Sequence, residues 1–369
     1  MSLGDLKVAL VHDELTRRGG AEIVLEELVR IFPQADLYAL YAGEPKMIVD
    51  GRTYHVRTSF LQRFPLWWRR HPSRLLPLLP QAAEQFDLST YDLVLSSASA
   101  FAKAVVTRVS VPHLCYCHTP TRYLWSDAHA ALERQPAWAR WPARVGMHYL
   151  RLADFAAAQR VGVYLANSAF TQARIQSYYR RESTVLYPPI NTAFFTPLPP
   201  ATRDYFLVVG RLTPSKNFDQ AITVCEKLKV PLVVVGVGSE QRRLRALAGR
   251  YTRFVGGVND YELREYLRGA RALLQPGVED FGMAAAEALA CGTPVIALGR
   301  GGAKEIIEAG VSGLTYEIPQ VEALAEAMRQ FLSGETYFSP EALQGSMLRF
   351  SPARFRAGIV AACRGILET

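Results

Sequence analysis

The chain has 369 residues, of which 49% are hydrophobic and 21% are charged, a composition typical of a soluble globular protein with room for two domains. No apolar run approaches the roughly 20 residues of a membrane span, and no signal-peptide pattern is present, so the sequence favours a cytoplasmic protein. The net charge of +8 favours an anionic partner, such as a phosphate, a nucleic acid or a membrane surface.

Strand-like and helix-like segments alternate along the first half of the chain, which is typical of a parallel sheet covered by helices. The pattern predicts a buried strand at 6–13 and a helix at 21–32. Further strands are predicted in YDLVLSS, VPHLCYC, VGVYLANS and STVLYP. Ser168 is predicted to cap the helix that follows the third of these.

A proline-rich segment at 188–203 carries five prolines and reads as a linker. After it a second alternating series begins, with strands predicted in YFLVVGRL, PLVVVGVG, TRFVGG, ALLQPG and PVIALG. We therefore predict an N-terminal Rossmann-like domain at 1–187 and a second one at 188–350. The last segment, 351–369, is amphipathic and is expected to cross back onto the first domain.

Open parallel sheets bind ligands outside the carboxyl ends of their strands, so two such domains are expected to face each other across a ligand-binding cleft. In GRLTPSKN, Gly210 begins a strand-to-loop turn, and Arg211 and Lys216 can converge on a diphosphate. This segment lacks P-loop spacing. Gly19 and Gly20 stand at a helix start, where a backbone nest suits an anion.

The segment QPGVEDFGMAAAEALACGTPVIA, at 275–297, places two acids at different depths of one strand-to-helix turn. Glu279 is predicted in the loop and Glu287 within the helix. The first helical amides would suit phosphate or sugar hydroxyls, and a nearby glutamate would accept hydrogen bonds from hydroxyls; they belong to Phe281, Gly282, Met283 and Ala284. The alternative is that Glu279 caps the helix and Glu287 lies on a solvated face.

Other sites are less favoured by the sequence. Gln241 stands where a dinucleotide fingerprint requires its third glycine, which argues against a nicotinamide cofactor. Cys115 and Cys117 have a one-residue gap and no second pair, so no metal site is predicted. His118 ends a strand, and both a structural and a functional role stay open. Lys and Arg are scattered and no nucleic-acid-binding motif is present.

Three segments in this order, GRLTPSKN, GVNDYELREYL and EDFGMAAAEALACGTPVIA, resemble the C-terminal domain of retaining GT-B glycosyltransferases of family 4, group 1. The spacing of Glu279 and Glu287 matches that family's Glu-x7-Glu motif. GGAE at 19–22 also matches, and YCHTPTRYLW at 116–125 resembles bacterial O-antigen and exopolysaccharide mannosyltransferases. Two positions depart from the pattern: Val278 stands where many members have Tyr, and Asp280 replaces a glycine.

The resemblance implies roles for these residues within a GT-B fold. Arg211 and Lys216 would hold the donor diphosphate, and Glu287 would bind the ribose hydroxyls. Glu279 and the amides of residues 281–284 would hold the donor sugar, and His118 would contact that sugar near the reacting carbon. Gly20 would approach the diphosphate from the N-terminal domain, and Val258 would meet the base.

The implied enzyme is a retaining, metal-independent glycosyltransferase of polysaccharide biosynthesis, with a front-face mechanism, no cofactor, and GDP-mannose as the expected donor. The N-terminal domain would bind a glycan or lipid-linked acceptor. A UDP-sugar donor is the alternative, and a nucleotide-sugar epimerase or a non-catalytic nucleotide-binding protein is less favoured. The segment 59–80 mixes Trp67, Trp68, Arg69, Arg70 and Arg74 with apolar residues. It is predicted either to contact an anionic membrane, on the inner face of the plasma membrane, or to pack on its own domain.

Overall fold

The computed structural model of the chain describes residues 3–69, 75–198, 203–334 and 337–368. The chain divides into two compact units. Unit 1 comprises Met1–Pro189 and Ala353–Thr369, and unit 2 comprises Ile190–Pro352. The acceptor-binding and donor-binding roles given to the two predicted domains stay predictions.

The described part of unit 1 contains one sheet of eight strands: β1 Val8–Leu15, β2 Asp36–Ala42, β3 Lys46–Val49, β4 Arg52–Thr58, β5 Leu93–Ala98, β6 His113–Cys117, β7 Val163–Ala166 and β8 Thr184–Val185. Their order is β3-β4-β2-β1-β5-β6-β7-β8. All neighbours are parallel except β3 and β4, which form an antiparallel pair. The helices are α1 Gly20–Ile31, α2 Leu66–Arg69, α3 Leu79–Glu84, α4 Ala128–Glu133, α5 Ala137–Gln159 and α6 Ala169–Tyr179.

The central strands of unit 1 are apolar along their length because helices cover both faces of the sheet. One face packs against Leu25 and Leu28 of α1. The other packs against Ala82 of α3, Ala157 of α5 and Ile175 of α6. The polar loops at the carboxyl ends of β1, β5 and β6 are therefore fixed by a core on each side.

Unit 2 is built on six parallel strands in its described part: β9 Tyr205–Val209, β10 Leu232–Val235, β11 Thr252–Gly256, β12 Ala270–Gln275, β13 Val295–Leu298 and β14 Gly313–Tyr316. The order is β11-β10-β9-β12-β13-β14. The helices are α7 Phe218–Leu228, α8 Gln241–Leu247, α9 Asp260–Gly269, α10 Met283–Ala290, α11 Ala303–Ile306, α12 Val321–Ser333 and α13 Pro340–Met347. Since β10 and β12 pair on opposite sides of β9, the strand order reverses there, which is where such sheets bind ligands.

The last helix, α14 Pro352–Leu367, packs on unit 1. Its buried residues Phe355, Ile359 and Cys363 belong to the same core as α1. Arg356 donates a hydrogen bond to Glu27 of α1 over 2.7 Å. The amphipathic pattern thus reflects one apolar face on the sheet and one solvated face.

The predicted α/β class with two Rossmann-like sheets is confirmed, and every strand predicted from the sequence is present. Strands β2, β3, β4 and β14 were not predicted. The segment 59–80 contains short helical turns, and Trp68 packs on the core and stacks on Phe64 at 5.4 Å. Arg70 and Arg74 lie outside the described residues. In the described part of the chain, none of the helices combines the length and hydropathy that crossing a membrane requires.

Candidate functional site

Two loops meet at the point in unit 2 where the strand order reverses. One follows β9, at 210–217, and the other follows the neighbouring strand β12, at 276–282. A Cβ atom on Gly277 would lie 2.5 Å from the carbonyl oxygen of Ser215 and 2.8 Å from Cα of Lys216. Only glycine allows this approach, so the two loops pack backbone against backbone.

Lys216 and Glu279 form an ion pair across these loops. Both side chains are mostly buried, with 23% and 18% of their surface exposed. Lys216 ends a short 3-10 turn, and Asn217 follows it in a left-handed conformation (φ 51°) before α7 begins. On the other side, Gly302 N donates to the carbonyl of Glu279 at 2.9 Å. The pair is therefore held from three strand ends, those of β9, β12 and β13.

The start of α10 lies directly after Glu279. Gly282 is its N-cap with φ 109°, and no side chain caps the helix. The ring of Phe281 is buried against Phe350, with 5.3 Å between ring centroids. Gln275 is buried next to Gly282, and its Nε2 has no hydrogen-bond partner among the described residues. The first amides of α10, at Met283 and Ala284, are thus fixed in position and uncapped, which suits an anion or a hydroxyl.

The structure excludes the alternative roles of the two acids, a helix cap for Glu279 and a solvated face for Glu287. Glu287 is only 7% exposed, so it does not lie on a solvated face. The carboxylate of Glu279 pairs with Lys216 and makes no side-chain cap of α10.

The glycines after β10, Gly236 and Gly238, have a packing role. A Cβ atom on either of them would collide with the backbone of the loop that follows β9.

The other predicted positions of unit 2 lie at the same carboxyl edge of the sheet. Gly210 has φ 145°, and a Cβ built on it would lie 3.6 Å from Cε of Lys216. Arg211 follows it with an exposed side chain, and Val258 is half-buried just before α9, beyond the end of β11. The structure pairs Lys216 with Glu279 and places Gly210 beside the Lys216 side chain, while a shared contact of Arg211 with them is not observed in the described residues.

In unit 1, four side chains form a hydrogen-bonded series at the ends of β1, β5 and β6. Ser97 Oγ lies 3.1 Å from His12 Nδ1 and 2.8 Å from His118 Nε2. His12 Nε2 lies 3.5 Å from the carboxylate of Glu22 in the first turn of α1. That turn begins at Gly20, with Gly19 as its N-cap. The predicted residue His118 is therefore linked through Ser97, His12 and Glu22 to the turn that begins at Gly20, and sequence reasoning missed Ser97 and His12.

The protonation of this series follows from burial and charge. Burial disfavours a charged His12, but the hydrogen bond and the charge of Glu22 outweigh it and raise the pKa of His12 above 6.5. Burial and the nearby His12 lower the pKa of His118 to about 3. When His12 is protonated, its Nδ1 donates to Ser97, and Ser97 can then donate to Nε2 of His118. In that state the neutral His118 carries its proton on Nδ1.

A second polar network, also missed by sequence reasoning, holds the loops after β5 and β6. Asp154 of α5 is fully buried and pairs with buried Lys103 at 2.6 Å. It also accepts hydrogen bonds from Thr121 at 2.9 Å, Trp125 at 2.7 Å and Tyr179 at 2.9 Å. A single aspartate in an amphipathic helix gives no signal of this network, because its partners are 25 to 51 positions away in the sequence. Within the described residues, no group of three His, Cys, Asp or Glu side chains could hold a metal ion.

Two family models match the chain in succession. The model described as "Glycosyltransferase Family 4" matches residues 18–194, and the one described as "Glycosyl transferases group 1" matches residues 190–344. Between them they reach from the start of α1 to α13. The chain belongs to the GT-B glycosyltransferases of family 4, group 1.

Relatives of this family-4 chain have several functions. It is 35% identical over 139 residues to a glycogen synthase of Mycobacterium tuberculosis, covering 34% of this chain and 33% of that protein. It is 29% identical over 196 residues to a GDP-mannose-dependent alpha-(1-6)-phosphatidylinositol monomannoside mannosyltransferase of the same organism, covering 45% of this chain and 51% of that protein. These matches therefore span a third to about half of the length of the curated relatives.

Among solved structures, the fold resembles that of Anabaena HepE, crystallised in complex with UDP-glucose. The TM-score is 0.71 with 18% identity, over 97% of this chain and 99% of that chain. At this identity the likeness supports the GT-B fold and leaves the donor open.

Proposed function

We propose that this chain is a retaining glycosyltransferase that moves a sugar, with mannose from GDP-mannose as the expected donor, onto a glycan or lipid-linked acceptor. The observation that carries the proposal is the Lys216–Glu279 pair beside the uncapped start of α10, where the sheet order reverses. The GDP-mannose-dependent relative supports the donor. The UDP-glucose complex of HepE favours the alternative, a UDP-sugar.

The leaving diphosphate would be stabilised by charges already in place. Lys216 is neutralised by Glu279 in the free protein, and a bound diphosphate would share its ammonium group. The first amides of α10 and the guanidinium of Arg211 would supply further positive potential. Glu279 would then accept hydrogen bonds from hydroxyls of the sugar, and Glu287 from those of the ribose.

The proposed transfer retains the anomeric configuration and needs no covalent intermediate. The anomeric C–O bond to phosphate breaks, and the acceptor oxygen forms its bond on the same face of the sugar. The proton of the acceptor hydroxyl passes to the leaving phosphate oxygen, so no enzyme carboxylate acts as nucleophile or base. His118 stays neutral because burial lowers its pKa to about 3, so it would not act as a general acid.

Calorimetric melting in metal-free buffer tests the donor assignment with GDP, UDP, ADP, GDP-mannose, UDP-glucose and UDP-N-acetylglucosamine. A ligand at 100 times its Kd stabilises the folded protein by about 2.7 kcal/mol. Selective stabilisation by GDP and GDP-mannose supports the proposal. Selective stabilisation by UDP and the UDP-sugars would instead identify a UDP-sugar as the donor. An absence of any stabilisation contradicts the proposal.

Variants at the ion pair test the site. Lys216→Ala and Glu279→Ala should each lower the transfer rate by about 10²-fold or more, because each removes a group that acts on the leaving diphosphate or the sugar. Lys227→Ala is the matched control, since Lys227 is an exposed lysine in the last turn of α7. Near-normal turnover of either site variant contradicts the assignment. EDTA should leave the rate unchanged, and strong inhibition contradicts metal independence.

A further inference from the structure

Helix α5 exposes an apolar stripe on the side that faces away from its own core. Its inner face is ordinary: Asp154, Ala157 and Ala158 are buried, and Met147 and Leu150 pack on the core of unit 1. Its outer face presents large exposed apolar side chains at spacings of three or four residues, which are Trp138, Trp141, Val145, Tyr149, Leu152 and Phe155. At about 1.5 Å per residue, this stripe is roughly 25 Å long.

The exposure of the stripe is unusual for a surface helix. Trp138 is 82% exposed, Trp141 73% and Tyr149 67%. A surface helix normally buries one apolar face and leaves the opposite face polar. A contiguous exposed apolar patch of this kind marks an interaction site, whereas single exposed apolar residues do not.

The exposed charged side chains of α5 itself are all basic. Arg140 and Arg144 are exposed and lie on one flank, about a quarter turn from the stripe. His148 is also exposed within α5, and the two exposed charges just before the helix, Glu133 and Arg134, offset each other. Helix α5 lies wholly in the described part of the chain, and its single carboxylate, Asp154, is buried in the ion pair with Lys103.

We infer that the outer face of α5 binds the surface of an anionic lipid bilayer. Tryptophan and tyrosine rings favour the boundary between headgroups and acyl chains, and flanking arginines favour anionic headgroups. A second copy of the chain fits this face less well. In a two-fold dimer each patch meets itself, so arginines would meet arginines with no exposed carboxylate of α5 to neutralise them.

This surface differs from the segment 59–80, for which the sequence left both membrane contact and packing on its own domain open. There Leu66 and Trp67 are exposed, but Trp68 packs on the core. The described part of that segment therefore presents two large exposed apolar side chains where α5 presents six. Binding of α5 to lipid is independent of the donor site, so it can be tested without transferase activity.

The test is co-sedimentation of the full chain, without donor, with vesicles of phosphatidylcholine alone and with vesicles that contain about 30% phosphatidylglycerol. We expect binding to the anionic vesicles that weakens with salt. Trp138→Ser/Trp141→Ser should lower the partition coefficient by about tenfold or more. Arg140→Glu/Arg144→Glu should lower binding to anionic vesicles only. All four side chains are exposed, so the melting temperature serves as the folding control.

Trp67→Ser is the matched control, because it removes an exposed tryptophan of unit 1 that lies outside α5. Its binding should equal that of the wild type. The proposal is overturned if the wild type binds neither vesicle, if Trp138→Ser/Trp141→Ser binds like the wild type, or if Trp67→Ser alone abolishes binding. It is also overturned if the wild type is a dimer that ignores vesicles and that Trp138→Ser/Trp141→Ser converts to a monomer.

Discussion

Replacing the buried Asp154 by Asn should destabilise unit 1 more than any change of similar size on the surface. The substitution leaves Lys103 charged, buried and without its counter-ion, although they are 2.6 Å apart in the native protein. It also turns one of the two oxygens into an NH2 group, which faces the donors of Thr121 or those of Trp125 and Tyr179. Removing one partner of a buried ion pair costs about 3–5 kcal/mol.

For a unit of this size, a loss of about 1 kcal/mol in the free energy of unfolding lowers the melting temperature by about 2–4 °C. The melting temperature of Asp154→Asn should therefore fall by roughly 6–20 °C. Tryptophan emission is a specific assay for it, because all five tryptophans of the chain lie between residues 67 and 141, within unit 1. Asp87→Asn is the matched control: Asp87 is exposed and accepts a hydrogen bond from Ser89 N. The control should change the free energy of unfolding by less than about 0.5 kcal/mol.

A double variant separates the charge from the packing. Lys103→Met/Asp154→Asn removes the uncompensated charge, and it should recover part of the stability that Asp154→Asn loses. A loss below about 1 kcal/mol for Asp154→Asn would refute the reasoning, since an unpaired buried charge cannot cost so little. Equal stability of the single and double variants would show that the charge of Lys103 is not the cause.

Three further changes test other parts of the structure. Gly277→Ala places a methyl group 2.5 Å from a backbone carbonyl oxygen, and it should lower the stability of unit 2 in calorimetry by about 1–3 kcal/mol. Gly345 has open space around it, so Gly345→Ala should not lower the stability in this way. Burial lowers the pKa of His113 to about 3, so the unfolded chain binds a proton below pH 6.5 that the folded chain does not, and stability falls as the pH drops. His113→Gln should therefore lose about 2 kcal/mol less than the wild type between pH 7 and pH 5 in denaturant unfolding. Glu22→Gln removes the carboxylate that raises the pKa of His12, so activity should decline at a lower pH on the alkaline side than in the wild type. An unshifted profile for Glu22→Gln would contradict Glu22 as the group that raises the pKa of His12, and parallel stability curves for His113→Gln would contradict the lowered pKa of His113.

Much of the fold could be predicted from the sequence because buried parallel strands read as short apolar runs. The strands that were missed had weaker signals. DLYALYA at 36–42 mixes strand and helix formers, and β14, with the sequence GLTY, contains a glycine and no run of apolar residues. The β3–β4 hairpin did carry a signal, the Asp50–Gly51 turn, where both residues have positive φ.

The candidate site was predictable only as a set of strand ends. The Glu-x7-Glu spacing identified Glu279 and Glu287, but not that Glu287 is buried. The partner of Glu279 is 63 positions away, and the His12–Ser97 contact joins residues 85 apart. Such pairs depend on which strands become neighbours, and strand order follows from packing of the whole sheet, not from local sequence.

The return of α14 to unit 1 also affects the order in which the two units can fold during synthesis of the chain. Unit 1 needs Phe355, Ile359 and Cys363 to close its core, and these residues leave the ribosome after the whole of unit 2. Unit 2 is one uninterrupted stretch of sequence, so it can fold during translation while unit 1 still lacks its last helix. For the same reason unit 2 can be exchanged as a single cassette with two junctions, at 189/190 and 352/353, which leaves every residue of unit 1 in place.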